Sequence, residues 1–171
     1  MACSITVSGR SFPCKDKIGG LKRVWIKAFD AADWGSITSG VIAAGAAITV
    51  YGFELTKNSG SFQQTVTASV ENGTVFFSQV LELTMPNLGA TDNEEIYDLL
   101  KSRLAVIIQD NNDNYMLMGH TTGAEATGGT VGTGTAKGDL NGYQIQLTAE
   151  EAIPAPFVSS SDANITFTAG S

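Results

Sequence analysis

One histidine, two cysteines and two tryptophans are all that 171 residues hold of the side chains that most often build metal centres, nucleophilic sites and ligand platforms. Cys3 and Cys14 flank a short segment and His120 lies far along the chain, and together they supply fewer than the four ligands of a closed zinc site. In a cytosolic protein the two cysteines read first as thiols partly buried near a terminus, with a disulfide as the second reading. Charge is also scarce and one-sided: ten Lys and Arg stand against seventeen Asp and Glu, for a formal net charge of −7. That balance excludes a surface that coats DNA, which needs a basic patch to displace counterions. It suits a negatively charged wall along which nucleic acid slides without sticking. No basic segment followed by an apolar stretch opens the chain, so no secretory signal and maturation in a cytoplasm are expected. The most apolar run, residues 41–50, contains Gly45 and is too short to span a bilayer. It reads as a buried strand or its approach, and no membrane partner is expected.

What the chain has in abundance is Ser, Thr, Asn, Gln and Gly, a composition that favours extended backbone and turns. The length suits one domain with a substantial core. Residues 21–29 alternate Val24, Ile26 and Ala28 against Arg23, Trp25, Lys27 and Phe29, and residues 48–55 alternate in the same way with aromatic weight on one side. Residues 63–71 and 74–85 form a long hairpin around Asn72-Gly73, a pair suited to a type I′ turn. Its second arm places Val75, Phe77, Leu81, Leu83 and Met85 on one face. Phe76 and Val80 fall on the other, among Thr and Ser, which suggests cover by a neighbouring subunit. One helix is expected after Thr91 and Glu94, which have capping-box spacing, with an apolar stripe through Ile96, Leu99 and Leu100 to Arg103. Residues 104–109 and 115–119 make a second hairpin around the Asx-rich turn 110–114. Residues 143–148 form a further strand. The tail from 159 to 171 is an extension, either an added edge strand or disordered.

Residues 119–142, GHTTGAEATGGTVGTGTAKGDLNG, read as a long, poorly packed loop between two strands. They are no phosphate cradle. Gly132, Gly134 and Gly138 are spaced one residue too long for the dinucleotide fingerprint, Lys137 is followed by Gly138, and the segment opens a strand and not a helix. A long loop without reactive groups points to contact with another chain. Elsewhere each acid, base or nucleophile stands alone in sequence: Glu94 and Glu95 suit the first turn of a helix, Asp110 and Asp113 suit a turn, and His120 sits at the start of the loop. No catalytic, cofactor-binding or metal-binding residues are therefore assigned, and the chain is not expected to be an enzyme. The candidate site is a subunit interface made of Phe76, Val80, Gly123, Gly128, Gly129, Gly132, Gly134 and Gly138.

Three pieces of the chain resemble a family of bacteriophage virion proteins, the major tail tube proteins. They are the opening CSITVSGRSFPCKDKIGGLKRVWI, the central ENGTVFFSQVLELTMPNL with its helix and LAVIIQDNNDNYMLMG, and the closing GTGTAKGDLNGYQIQLTAEEAIPAPFV. Together they cover most of the chain to residue 158, and none is a catalytic signature. The resemblance implies a mainly β fold, a β-sandwich or barrel with one flanking α-helix, similar to the tube subunit of type VI secretion. It implies a tube-like domain over residues 1–158 that assembles as hexameric rings stacked into a hollow tube. Its partners would be copies of itself, other tail proteins such as sheath, baseplate or terminator, and DNA passing through the lumen without specific binding. It implies a place in the virion tail after assembly in the host cytoplasm. A capsid decoration or head–tail connector protein shares the composition, and a small β-sandwich binding module is the third class.

Overall fold

Strand formation follows the alternation of the sequence almost throughout. The computed structural model describes Gly9 and residues 15–169. The readings made on Cys3 and Cys14 lie outside them. In chain order the strands are β1 (Leu21–Ala28), β2 (Val41–Ile42), β3 (Ile48–Glu54), β4 (Gly60–Ser69) and β5 (Thr74–Pro86). The helix α1 (Ala90–Lys101) follows, then β6 (Leu104–Asp110), β7 (Tyr115–Met118), β8 (Glu125–Gly132), β9 (Gly142–Glu151), β10 (Phe157–Val158) and β11 (Ile165–Thr168). The fold is mainly β, with curled sheets forming a half-barrel or sandwich beside one helix.

One sheet has seven strands in the order β11-β3-β1-β6-β7-β10-β2, the other four in the order β4-β5-β9-β8. Between them lies a core built from Val24, Ile26, Val106, Ile108 and Met118 of the first sheet and Leu81, Leu83, Tyr143, Ile145 and Leu147 of the second, closed by Ile96 of α1. A second core covers the opposite face of β1 and β6, where Trp25, Ala105 and Ile107 meet Trp34, Ile42, Ile48, Val50, Val158 and Ile165. Residues from both ends of the seven-stranded sheet meet there because that sheet curls on itself. Burial on both faces explains why β6 reads as an unbroken apolar run.

Several local expectations change. Turn 70–73 has four residues and joins Ser69 to Thr74, with positive φ at Gly73 and not at Asn72. It is therefore not the two-residue type I′ turn that Asn-Gly suggests. The helix starts one residue before Thr91, with Gly89 at the cap and no side-chain cap bond. The Thr91–Glu94 spacing thus does not act as a capping box. Ile96 is its buried anchor, Leu99 is half-buried, and Leu100 is exposed. The described part of the tail past 158 adds an edge strand: β11 pairs parallel with β3, from Ile165 against Ile48 to Thr168 against Tyr51. Asp162 ties it down by accepting the Ala44 N–H at 2.8 Å.

The largest correction concerns residues 119–142. A third of that segment is strand β8, paired antiparallel with β9 from Glu125 opposite Thr148 to Gly132 opposite Gly142. Its glycines misled the reading, because glycine in a strand also marks a bulge or a close approach of two backbones. Both occur here. The register shifts between Ala126 and Gly128, and a Cβ at Gly129 would fall 2.9 Å from the Gln144 carbonyl oxygen. What remains outside the strand is the turn 119–124 before it and the short connection 133–141 after it.

Candidate assembly surface

The four-stranded sheet is where the candidate interface residues gather. In β5, side chains alternate between the core face and an outer face, and Phe76 and Val80 are both on the outer face, half-buried. Gly128, Gly129 and Gly132 lie in β8, the strand at one edge of this sheet. Gly134 and Gly138 are exposed in the connection beyond it. Gly123 does not belong with them. It is buried, has φ +82°, and a Cβ there would lie 3.0 Å from the Phe29 ring. It is a turn residue packed inside the fold, and the interface reading of it is withdrawn.

Three features of this sheet were not singled out in the sequence. The first is its pair of edges. β4 has ten residues and β8 has eight, whereas the seven-stranded sheet ends in β11 with four and β2 with two. Very short edge strands are one way proteins prevent unwanted pairing; charges, proline and bulges are others. β4, GSFQQTVTAS, has neither charge nor proline, and pairs with β5 through ten consecutive positions without a bulge. β8 has one charge, Glu125, and one bulge. Both edges present unpaired backbone donors and acceptors along their outer sides.

The second is a projecting hairpin. Pairing between β5 and β9 begins at Phe77 and Glu151, so the rows nearest turn 70–73 contain only β4 and β5. There the core-side face loses its cover, and Val75 is 55% exposed; Val66, in the last row that β9 reaches, is 56% exposed. Val70 in the turn is 98% exposed. These valines, more than Phe76, are the exposed apolar side chains of this hairpin.

The third is the absence of positive charge. None of β4, β5, β8 and β9 contains Lys or Arg. Register places Ser61, Gln63, Thr65, Glu82, Gln144, Gln146 and Thr148 on the outer face together with Phe76 and Val80. Glu125 shares this face opposite Thr148 and pairs with Arg103 at 3.2 Å. The absence of basic residues was readable in the sequence. It had no place to point to until the four strands were seen to form one sheet.

Two depressions flank β8 because Gly128 and Gly129 leave it thin. One, of about 310 Å³, lies on the polar face among Glu82, Thr84, Thr130, Gln144 and Gln146. The other, of about 350 Å³, lies between β8 and the helix and is lined by Ile96, Leu100, Ala126, Val131 and Tyr143. No group of three or more His, Cys, Asp or Glu suited to a metal ion occurs among the described residues. His120 is half-buried, with Nδ1 3.0 Å from Thr121 Oγ1.

Hydrogen bonds fix the turns that frame the sheet. Asp139 Oδ2 accepts from the N–H groups of Ala136 and Thr135 at 2.7 and 2.8 Å, which holds its carboxyl below the usual value and shapes the β8–β9 connection. In the Asx-rich turn, burial pushes the Asp110 carboxyl up, but bonds from Asn114 and Asn112 outweigh it and hold the pKa low. The Asp113 carboxyl is lowered chiefly by the hydrogen bond from Lys22, then by that from Gln109.

Fold and surface together define a two-sheet β protein with one helix, two long open strand edges and an acidic, hydroxyl- and amide-rich outer face. Set against protein-family models, curated proteins and solved structures, the chain matches none. Among the described residues, no helix is long and apolar enough to cross a membrane.

Proposed function

We propose that the chain is a structural subunit that joins copies of itself edge to edge into closed six-membered rings, and that these stack into a tube of the phage-tail kind. The observation that carries this reading is the four-stranded sheet with its two long open edges, β4 without charge or bulge, and its four strands without lysine or arginine. All pairings within that sheet are antiparallel, so β4 and β8 run in opposite directions. A simple rotation that brings β4 of one copy beside β8 of the next therefore continues the antiparallel alternation, and repeating it closes a ring with no edge left open.

The side-chain layers agree with that joint. Continued row for row, β4 of the incoming copy would bring Phe62 to the core side of β8 at the level of Ala126, the side on which the cleft between β8 and α1 lies. Six copies of a four-stranded sheet make a wall on the order of 24 strands, roughly 115 Å around at about 4.8 Å per strand and wider when tilted. Such a wall encloses an open channel.

In this arrangement the Ser, Thr, Gln and Glu face lines the channel. Phosphates meet no lysine or arginine on the strands, so DNA passes without sticking. The role is mechanical and uses no catalytic group or cofactor, and the particle to which it belongs is a virion.

Electron micrographs of the concentrated protein, with sedimentation over a range of concentration and salt, test the reading. Rings and tubes with a central channel are expected. A compact monomer under every condition overturns it, and solid particles without a channel favour a capsid decoration or connector role instead.

A further inference from the structure

Row-for-row continuation of the sheet leaves much of both free edges unpaired. Register across the four strands puts Gln63, Phe62, Ser61 and Gly60 at the levels of Glu125, Ala126, Gly128 and Gly129, the four rows that β4 and β8 share. Residues 64–69 of β4 run on past the start of β8, and residues 130–132 of β8 run on past the start of β4. The sheet is therefore a parallelogram whose two edges are offset along the strand axis.

Sliding the incoming β4 along the seam removes the offset. The slide must be an even number of residues, because a one-residue slip turns every side chain to the other face. At a slide of four, every row of β8 faces β4. On the core side Phe62 then stands opposite Val131 and Val66 opposite Ala126, with Gln64 opposite Gly129 between them. Val131 and Val66 are 60% and 56% exposed in the single chain, and each gains an apolar neighbour. A slide of two puts Gln64 against Ala126 and leaves Val66 beyond β8, and a slide of six puts Gln64 against Val131.

Closure of the wall selects the same slide. Each copy contributes four strands, about 19 Å around the wall, and four residues of slide are about 13 Å along it. That ratio tilts the strands by about 35° whatever the number of copies, and closed barrels tilt by about 35–45°. An unslid joint gives no tilt, a slide of two only about 19°, and a slide of six about 46°.

We propose that a second copy of this chain docks with its β4 slid four residues along β8, so that its Phe62 and Val66 flank the apolar cleft between β8 and α1. This rests on the closed-ring reading above and adds to it the register of the seam. On the outer face the same register sets Gln63 against Thr130 and Thr65 against Gly128.

Disulfide trapping tests the register. Thr130 lies on the outer face past the bulge of β8, and slides of zero, two, four and six residues set Ser59, Ser61, Gln63 and Thr65 opposite it. Facing positions of antiparallel strands lie within about 5.5 Å between Cα atoms, inside the range of a disulfide, whereas diagonal positions lie about 7 Å or more apart. In a Cys3→Ser/Cys14→Ser chain, Thr130→Cys is combined in turn with Ser59→Cys, Ser61→Cys, Gln63→Cys and Thr65→Cys. Each protein is assembled under reductant, checked by circular dichroism and electron microscopy, and then treated with oxidised glutathione. The Gln63→Cys combination is expected to give a ladder of covalent oligomers at least about tenfold stronger than the other three. Gly128→Cys with Thr65→Cys, which the same slide sets face to face, should cross-link as well. A ladder strongest with Ser59→Cys, Ser61→Cys or Thr65→Cys, or rings that cross-link in none of the combinations, overturns the register while the rings stand. A parent that forms no rings overturns the ring reading and this register together.

Discussion

Thr122 donates its hydroxyl to the Glu151 carboxylate at 3.1 Å, and the same Oε1 accepts the N–H groups of Thr121 and Thr122 at 2.9 Å each. Glu151 ends β9 and is only 2% exposed. The threonines stand just before β8, so one buried carboxylate anchors the start of the edge strand to the strand it pairs with. Its other oxygen has no partner among the described residues, which puts the burden on these three bonds.

Glu151→Ala leaves two amides and a hydroxyl without their acceptor in a partly buried turn. A loss of about 2–3 kcal/mol is expected. Urea unfolding should show the midpoint falling with little change in slope. An unchanged midpoint would mean that water replaces the carboxylate at no cost.

The glycines should separate into two groups. A Cβ at Gly129 meets the Gln144 carbonyl oxygen at 2.9 Å, and one at Gly123 meets Phe29 with the backbone in the left-handed region. Gly138 has open space around it. Gly129→Ala and Gly123→Ala should each cost about 1–3 kcal/mol, whereas Gly138→Ala should be neutral or stabilise by up to about 1 kcal/mol. Thermal melts of the three variants decide it.

The fold class was legible because apolar alternation at β1, β3, β5 and β9 has strand period and the stripe around Ile96 has helix period. The Asx turn was legible for a local reason: Asp110 accepts the N–H groups of Asn112 and Asn114, both at 2.8 Å. What escaped was set by tertiary pairing. Strand β8 has almost no apolar signal of its own and exists because β9 offers it an edge, with Gly129 needed for the close approach. Gly123 looked like loop filler and is held in place by Phe29 and Arg103. Exposure of Val75 follows from β4 and β5 outrunning β9, and Val66 stands in the last row that β9 reaches, which depends on where the partner strand stops.

Residues 123–138 cannot then be cut out as one dispensable loop. Their removal takes away β8 and uncovers Ile145 and Leu147, which should leave little folded protein. Replacing 133–138 alone by a two-residue turn keeps every β8–β9 pair, and closure entropy over so few residues changes by about 1 kcal/mol or less. Circular dichroism and melting of the two deletions should differ sharply. Equal tolerance would mean that β8 contributes nothing to stability.

Acid should loosen the turns before the core. Asp139 and Asp110 have carboxyl pKa values below the ordinary 3.8, so each adds stability that is full above that value and is lost as pH falls through the lower folded value. Asp139→Asn should therefore be less stable than the parent at pH 7 and lose less on acidification below 3.8. Parallel stability curves for the two proteins over that range would contradict the assignment.

Val66→Lys separates folding from assembly at the strand edge. Position 66 points to the core side of the sheet but stands in the last row that β9 reaches and is exposed, so the monomer can send a lysine out to water. Its stability should stay within about 0.5 kcal/mol of the parent. In a joined sheet the same side chain would point to the core side of the seam. An inward-pointing charge on an edge strand is also a means by which proteins prevent edge pairing. Ring formation should fall by at least about a hundredfold in concentration dependence, taking roughly 3 kcal/mol as the cost of an unpaired buried charge. Rings assembling from Val66→Lys as readily as from the parent would show that β4 does not join β8, and the closed sheet would have to be abandoned.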